Sequence, residues 1–271
     1  MSQLKAVFNV LPLAEAIERL KNGTLPARAA CITFDDGYAD NATTALPILQ
    51  RHGLKATFFI AIGYLNGGRM FNDTVTEAIR CSSASSLDLT FMGLGSFELS
   101  SREARVRAIN TILPAIKYLP VGEREALAEK IAGLATSQAL PDNLMMTTAQ
   151  LRSLHQAGME IGGHTVRHPI LSGLDTESAR QEIIGCKRIL EEQLGAPVSL
   201  FAYPNGKPGR DYLAEHVRIV GESGFSAAVT TRAGCTVDSG DMMQLPRYTP
   251  WQSDIKYFIP GLLRNLRRTA E

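Results

Sequence analysis

The feature that most constrains the fold is an alternation of short apolar runs with segments of helical periodicity. The apolar runs are bounded by glycine, proline and polar turn residues, and they predict buried strands at 29–34, 56–62, 159–161, 198–202 and 225–230. The segments between them predict helices at 41–52, 147–156, 175–194 and 211–223. Strands that alternate with helices predict βαβ units, a mainly parallel sheet and hence the α/β class.

One long segment interrupts this alternation. Residues 64–146 contain helical patterns at 74–80, 102–117 and 122–133 but no strong strand run. We interpret the segment as a helical insertion within a single domain that spans residues 1–271. Residues 1–23 predict one amphipathic helix, because Glu15 and Glu18 interrupt the apolar positions.

Composition excludes several kinds of partner. The 28 basic and 27 acidic residues give a formal net charge of +1, which argues against nucleic acid because phosphate contacts need a basic excess. No run of about 18 uninterrupted apolar residues occurs, so no transmembrane segment is expected. The four cysteines form no CxxC pair and favour reduced thiols over disulfides. These features, with an N-terminus unlike a secretory signal, predict a cytoplasmic protein unless a missing upstream segment carried a signal.

Two adjacent carboxylates give the strongest local signal. The sequence TFDDGY at 33–38 places Asp35 and Asp36 directly after a predicted buried strand. Active sites form at the carboxyl ends of parallel strands, and a metal ion on one carboxylate leaves its neighbour free as a base. A surface DDG turn is the simpler alternative, and the preceding apolar run favours the active-site interpretation.

Two histidines give the second signal. The sequence GGHTVRH at 162–168 places His164 and His168 four residues apart, which on one face of a helical turn lets both bind one cation. The two glycines are expected to turn the backbone sharply off the strand that ends at Ile161. Two unrelated surface histidines are the simpler alternative, but both follow a strand, as the carboxylates do. Two histidines and one carboxylate form a metal set with open positions.

Together these motifs resemble the polysaccharide deacetylase family. TFDDGY is similar to its first motif, HTVRH to its second, and AYPNG at 202–206 to its third, over roughly 25–251 apart from the insertion. The resemblance implies a distorted (β/α) barrel that hydrolyses N-acetyl groups on amino sugars. It also implies that Asp36, His164 and His168 bind a divalent metal ion, expected to be Zn²⁺, and that Asp35 is the general base.

The resemblance assigns roles to further residues. It implies that the backbone N–H of Asn205 stabilises the oxyanion and that Thr165 orients the site from behind the ligands. Tyr203 and Pro204 follow a strand with Asn205, so all three are expected to line the pocket. Two further aromatic residues, Tyr38 and Trp251, are candidates to stack on a sugar ring, although a core position is at least as good an explanation for Trp251.

Two departures from the family pattern matter. The arginine of the third motif is Ala202 here, and the family's later Leu-x-His motif is absent, since no histidine follows His216. The matching segment is QLPRY at 244–248, and our hypothesis is that Arg247 holds Asp35 in place of the missing arginine. The proton donor is then open: His155 and His216 are predicted on outer helix positions, and Asp35 is able to return the proton that it has taken.

The sequence therefore predicts a metal-dependent hydrolase that removes N-acetyl groups from an amino sugar or polysaccharide. Two alternatives stay open: a catalytically inactive module that binds glycans, and a deacylase of a small, non-polymeric amide. A non-haem Fe(II) oxygenase shares the ligand types but is disfavoured by the order of the ligands and by the βαβ pattern. A carbohydrate substrate is expected, and the oligomeric state is open.

Overall fold

The computed structural model describes residues 1–236, 240–250 and 255–266. The chain divides into two compact units, of which the first comprises Met1–Asn66 with Met145–Glu271 and the second Gly67–Leu144. The strands are β1 (Asn9–Val10), β2 (Ala29–Ala30), β3 (Thr33–Phe34), β4 (Thr57–Ile60), β5 (Ser86–Asp88), β6 (Ser96–Glu98), β7 (Glu160–Gly163), β8 (Leu200–Ala202) and β9 (Ala227–Val229). The helices are α1 (Ser2–Val7), α2 (Leu13–Lys21), α3 (Leu46–His52), α4 (Phe71–Cys81), α5 (Arg102–Ile116), α6 (Val121–Ala135), α7 (Thr148–Gln156), α8 (Thr176–Leu194), α9 (Ala214–Glu222) and α10 (Phe258–Asn265).

A parallel sheet forms the centre of the first unit. Within the described residues its strand order is β3-β4-β7-β8-β9, and every neighbouring pair is parallel. Its middle strands are mainly apolar, as is usual for strands covered on both faces, and Phe58, Ile60 and Phe201 are completely buried. The predicted α/β class and the curled, barrel-like parallel sheet are confirmed.

Helices α7 and α8 begin at the capping residues that the sequence predicts, whereas α9 begins at Ala214, three residues after its predicted start. The Thr147 hydroxyl accepts a hydrogen bond from the Gln150 N–H at the start of α7, and the Gln150 side chain bonds back to the Thr147 N–H. The Asp175 carboxylate accepts from the Ser178 N–H at the start of α8. That helix ends at Gly195, whose φ of +62° suits glycine best. A five-residue π-helical turn at Asn41–Ala45 leads into α3.

The N-terminal segment differs from the predicted single helix. The chain leaves α1 at Phe8, forms β1 beside β2, and starts α2 after Pro12. The predicted strand at 29–34 also divides, because β2 pairs with β1 whereas β3 pairs with β4. The Glu160 carboxylate at the base of β7 accepts hydrogen bonds from the first N–H groups of α2, those of Leu13 and Ala14. Backbone pairing and this cap therefore override the helical pattern.

The second unit has a core of its own. Helices α4, α5 and α6 bury apolar side chains such as Val75, Ile112 and Ile131, in agreement with the helical patterns of the sequence. The unit also contains an antiparallel pair, β5 with β6, in a segment where the sequence shows no strong strand run. Three-residue strands with one apolar residue each are too short to produce a strand signal.

Among the residues described, none of the helices is both long and apolar enough to cross a membrane.

Candidate metal centre

Asp35 and Asp36 lie in a tight turn at the carboxyl end of β3. The Asp36 backbone is left-handed, with φ +75°, and Gly37 follows with φ +93°. The Gly37 N–H donates to the Asp35 carbonyl at 2.9 Å, and the Ala61 N–H donates to the Asp36 carbonyl at 3.2 Å. A positive φ is uncommon outside glycine and persists where surrounding contacts enforce it. The turn therefore fixes both carboxylates beside the end of β4.

The two histidines follow β7 in a loop that is not the predicted helical turn. Thr165 and His168 both have positive φ values, +64° and +50°, and for a β-branched residue this is a marked departure from the usual backbone. The Thr165 hydroxyl donates to the His164 carbonyl and accepts from the His168 N–H at 3.0 Å. The hydroxyl thus closes the loop, and the two imidazole rings lie 4.8 Å apart.

The glycines before this loop serve packing rather than the predicted sharp turn. Strand β7 continues through Gly162 and Gly163. A Cβ atom on Gly162 would lie 2.4 Å from a ring carbon of Phe59 and 2.9 Å from the Leu200 carbonyl oxygen. Gly162 therefore allows β7 to fit between its neighbours and so sets the position at which His164 leaves the sheet.

The surroundings of His164 fix its tautomer. The side chain is almost fully buried, and its Nδ1 lies 2.7 Å from the carbonyl oxygen of Ala202 at the end of β8. Since a carbonyl only accepts, Nδ1 carries a proton, and Nε2, 3.4 Å from Asp36 Oδ1, is the ring nitrogen that is able to take up either a second proton or a cation. Histidines that bind metals typically donate their second ring N–H in this way.

Asp36, His164 and His168 together could hold a metal ion. The Nε2 atoms of His164 and His168 each lie 3.4 Å from Asp36 Oδ1, and the three ligand atoms lie within 4.8 Å of one another. Two ligands of a tetrahedral Zn²⁺ at about 2.1 Å from the ion are separated by about 3.4 Å. The donor set and its spacing thus fit a divalent cation.

The charges around Asp36 and His164 favour a positive charge at the candidate metal site. Burial raises the pKa of Asp36, but its hydrogen bond with His164 and the charges of His168, His164 and Arg247 outweigh burial and lower that pKa. Burial lowers the pKa of His164, but the bond to Asp36 and the charges of Asp35 and Asp36 outweigh it and raise that pKa. The carboxylates therefore stabilise a proton, or a cation in its place, between them.

Arg247 holds Asp35 through a bidentate ion pair. Its Nη1 and Nη2 atoms each lie 2.7 Å from one carboxylate oxygen of Asp35. The same guanidinium donates to the Thr33 hydroxyl at 3.1 Å and to the Thr230 carbonyl at 2.8 Å. Burial raises the pKa of Asp35, but the charge and hydrogen bonds of Arg247, together with His164, outweigh burial and lower that pKa. The carboxylate is thus held ionised and in one orientation.

The sheet brings Arg247 to this place. Leu245 pairs with Val229 of β9, so the segment before Arg247 runs along the edge of the sheet. The Arg247 N–H then donates to the Arg232 carbonyl at 2.9 Å, which fixes where the side chain begins. Although 212 positions separate Arg247 from Asp35, the strand ends bring them into contact.

The turn after β8 agrees only in part with the predicted pocket. Asn205 has φ +60°, and its carbonyl accepts a hydrogen bond from the Thr231 hydroxyl. Tyr203 is completely buried and its ring stacks on Tyr212, with centroids 3.9 Å apart, so its side chain packs the core instead of lining a pocket. Pro204 is buried as well, which leaves Asn205, with intermediate exposure, as the accessible member of the three.

The remaining candidates occupy different environments. Tyr38 is half-buried, and its backbone pairs with that of Met145. Trp251 lies outside the described residues. His216 is buried, contrary to the predicted outer position, and its Nδ1 accepts a hydrogen bond from the Leu213 N–H at 2.8 Å. His155, at the last turn of α7, is partly exposed.

Sequence reasoning missed three groups that support the site. Two are backbone carbonyls, of Ala202 and Thr230, and no side-chain pattern reveals a backbone acceptor. The third is Glu182, whose carboxylate bonds to the loop that carries the histidines. A signal for Glu182 was present, because it occupies the buried face of α8 together with Ala179 and Cys186.

Comparison with known proteins identifies the same motifs. The family model described as "Polysaccharide deacetylase" matches residues 22–81 and 127–227, which include the carboxylate turn, the histidine loop and the turn after β8. Arg247 lies beyond the matched residues. A curated relative, YxkH of Bacillus subtilis (strain 168), is described as a candidate polysaccharide deacetylase and is 21% identical over 241 residues. The alignment covers 89% of this chain but only 58% of that relative.

Solved structures share the fold. The Streptococcus pyogenes deacetylase PplD in complex with acetate aligns with a TM-score of 0.59 and 20% identity, over 98% of this chain and 82% of that one. IcaB from Ammonifex degensii aligns with a TM-score of 0.57 and 18% identity, over 91% of this chain and 80% of that one. At such identities the likeness establishes the architecture, and the chemistry has to be argued from the residues.

Proposed function

The chain belongs to the polysaccharide deacetylase family, and on this premise we propose that it is a metal-dependent hydrolase that removes N-acetyl groups from an amino sugar or polysaccharide. The observation that carries the proposal is one cluster: three ligand atoms lie within 4.8 Å of one another, and one of them belongs to the residue next to Asp35, whose carboxylate pairs with Arg247. Asp36, His164 and His168 would hold the cation, and its identity as Zn²⁺ is a further prediction. When bound, a divalent cation lowers the pKa of a water molecule and polarises a carbonyl group.

Asp35 would be the general base. It takes a proton from the attacking water while the water oxygen adds to the acetyl carbon. Arg247 keeps the carboxylate ionised and oriented, as the two 2.7 Å hydrogen bonds support. The C–N bond then breaks, and Asp35 returns the proton to the leaving amine. This route assigns both proton transfers to one residue, because QLPRY at 244–248, the segment that matches the family's later motif, carries Arg247 and no histidine.

Neighbouring residues would bind the substrate. The Asn205 N–H is proposed as an oxyanion donor, because Asn205 lies in the turn directly after β8, the strand that pairs with β7. Tyr38 adjoins the carboxylate turn and offers an aromatic face to a sugar ring. Thr165 would act behind the ligands, by holding the loop between the two histidines.

A catalytically inactive glycan-binding module is the second candidate, and one observation favours it. Arg247 already occupies both oxygens of Asp35, and the family's later histidine is absent. Against it stands the intact ligand set, which a module that only binds glycans does not need. Deacylation of a small, non-polymeric amide uses the same chemistry, and the choice of substrates in the test distinguishes it.

The test is acetate release from a panel of N-acetylated glycans and small N-acetylated amines. The protein is stripped with a chelator and assayed before and after addition of Zn²⁺. We expect release only with the cation, and a loss of about 10²–10⁴-fold in Asp35→Asn, which keeps the shape but not the base. Glycan binding by both the wild type and Asp35→Asn, with no acetate release from either protein, would support the inactive module instead.

A further inference from the structure

We propose that Glu182 is a positioning residue that fixes the loop carrying both candidate metal ligands; the inference rests on the metal site of the proposed function. Glu182 lies on α8, and its side chain is only 9% exposed. Its Oε2 atom accepts hydrogen bonds from the N–H groups of Val166 and Arg167, both at 2.8 Å. Its Oε1 atom accepts from Nε of Arg167 at 3.1 Å.

These bonds pair two successive backbone N–H groups of a partly buried loop with one side chain. Val166 and Arg167 donate to one carboxylate oxygen, and hydrogen bonds to an ionised acceptor are about twice as strong as neutral ones. An N–H group that is shielded from water and loses its acceptor destabilises the conformation that holds it. A carboxylate at Glu182 is therefore well matched to two successive N–H groups.

A second set of hydrogen bonds engages the backbone carbonyl groups of the same two residues. The Gly63 N–H donates to the Val166 carbonyl at 2.9 Å, and the Tyr64 hydroxyl donates to the Arg167 carbonyl at 2.8 Å. A Cβ atom on Gly63 would lie 2.8 Å from the Val166 oxygen, so the close approach requires glycine. The turn at 62–64 and Glu182 thus form a clamp on residues 166–167.

The clamp matters because of where these residues lie. Val166 and Arg167 separate Thr165 from His168, both of which have a positive φ. A backbone in such a conformation relaxes when surrounding contacts are removed. The Nε2 atom of His168 lies 3.4 Å from Asp36 Oδ1, a distance suited to a shared cation, and relaxation of the loop would change it. Glu182 therefore preorganises the second histidine ligand without contacting the cation.

The test measures Zn²⁺ affinity by competition with a chromophoric chelator. Loss of a residue that orients metal ligands typically weakens affinity about 10–100-fold, which is the effect expected for Glu182→Ala. Glu182→Gln keeps an oxygen that accepts from the two N–H groups, so its Zn²⁺ affinity should fall less than that of Glu182→Ala. Leu190→Ala is the matched control, because Leu190 is completely buried on the same helix. It should lower stability and leave the Zn²⁺ affinity at the wild-type value.

Hydrogen exchange at the amides of Val166 and Arg167 provides a second measurement on the metal-free protein. Both amides should exchange faster in Glu182→Ala than in wild type and Leu190→Ala. Wild-type exchange in Glu182→Ala, wild-type Zn²⁺ affinity in that variant, or an equal affinity loss in Leu190→Ala would each overturn the inference. A wild-type protein that binds no Zn²⁺ would overturn this inference and the proposed function together. One that binds Zn²⁺ but releases no acetate would overturn only the function.

Discussion

Removal of the Arg247 side chain is expected to damage both stability and activity. Arg247→Ala deletes two hydrogen bonds of 2.7 Å to Asp35 and the bonds to Thr33 and Thr230. It leaves a carboxylate in a setting that otherwise favours its protonated form, because burial opposes the ionised state of Asp35. The damage therefore comes from the stranded charge as well as from the lost contacts.

The magnitude follows from the burial of the pair. Removing one partner of a buried ion pair costs about 3–5 kcal/mol in free energy of unfolding. The Arg247 and Asp35 side chains are 15% and 27% exposed, so water hydrates part of the remaining carboxylate. We therefore expect a loss at the lower end, about 3 kcal/mol. A reoriented Asp35 should also lower kcat by about 10²-fold, since small displacements of a catalytic group have effects of that size.

Urea unfolding of a double-mutant cycle isolates the contribution of the pair. Arg247→Ala, Asp35→Asn and the double variant should show a coupling energy near the upper end of the usual range, about 0.5–3 kcal/mol. Arg180→Ala is the matched control, because Arg180 forms an exposed ion pair with Glu222 at 3.1 Å. Both side chains are more than one-third exposed, at 35% and 48%. Arg180→Ala should lower the free energy of unfolding by less than about 1 kcal/mol.

Two results would refute the reasoning. The first is a coupling energy of zero within error, which would mean that Arg247 does not stabilise the Asp35 carboxylate. The second is wild-type acetate release by Arg247→Ala, which would mean that the orientation of Asp35 does not depend on this arginine.

Three further predictions concern packing, pH and the histidine loop. Gly162→Ala should destabilise the fold by about 1–3 kcal/mol in thermal unfolding, because its Cβ would lie 2.4 Å from the Phe59 ring. Burial lowers the pKa of His216 below its usual 6.5, so the unfolded chain binds more protons, and the free energy of unfolding should fall as the pH drops from about 7 to about 5. His216→Gln should remove this part of the pH dependence. Thr165→Val should cost about 1–3 kcal/mol and weaken Zn²⁺ binding, because the His168 N–H loses its acceptor.

Each of these predictions has its own control. Gly221→Ala places a methyl group in open space on α9 and should stabilise the fold, so equal losses in both glycine variants would contradict the packing argument. An unchanged pH dependence in His216→Gln would show that another group titrates. Thr165→Ser keeps the hydroxyl, and it should restore Zn²⁺ binding relative to Thr165→Val.

The sequence by itself determined the strands of the main sheet, most of the helices and the reactive groups. Apolar runs bounded by turn residues located the strands of the main sheet, because a strand that is covered on both faces is apolar along most of its length. The pairs Asp35–Asp36 and His164–His168 were recognisable because each is encoded by neighbouring residues directly after such a strand. Capping residues likewise located the starts of α7 and α8, since a cap acts within three residues.

Only the tertiary structure decided how these groups are supported. The contact between Arg247 and Asp35, the carbonyl of Ala202 on His164 and the clamp of Glu182 join residues that are 15 to 212 positions apart. Tyr203 shows the same limit, because a residue just after a strand turned into the core rather than into a pocket. Local sequence specifies the chemistry of a side chain and the period of its element. The partner that the side chain meets depends on strand order and register, which arise from pairing across the whole sheet.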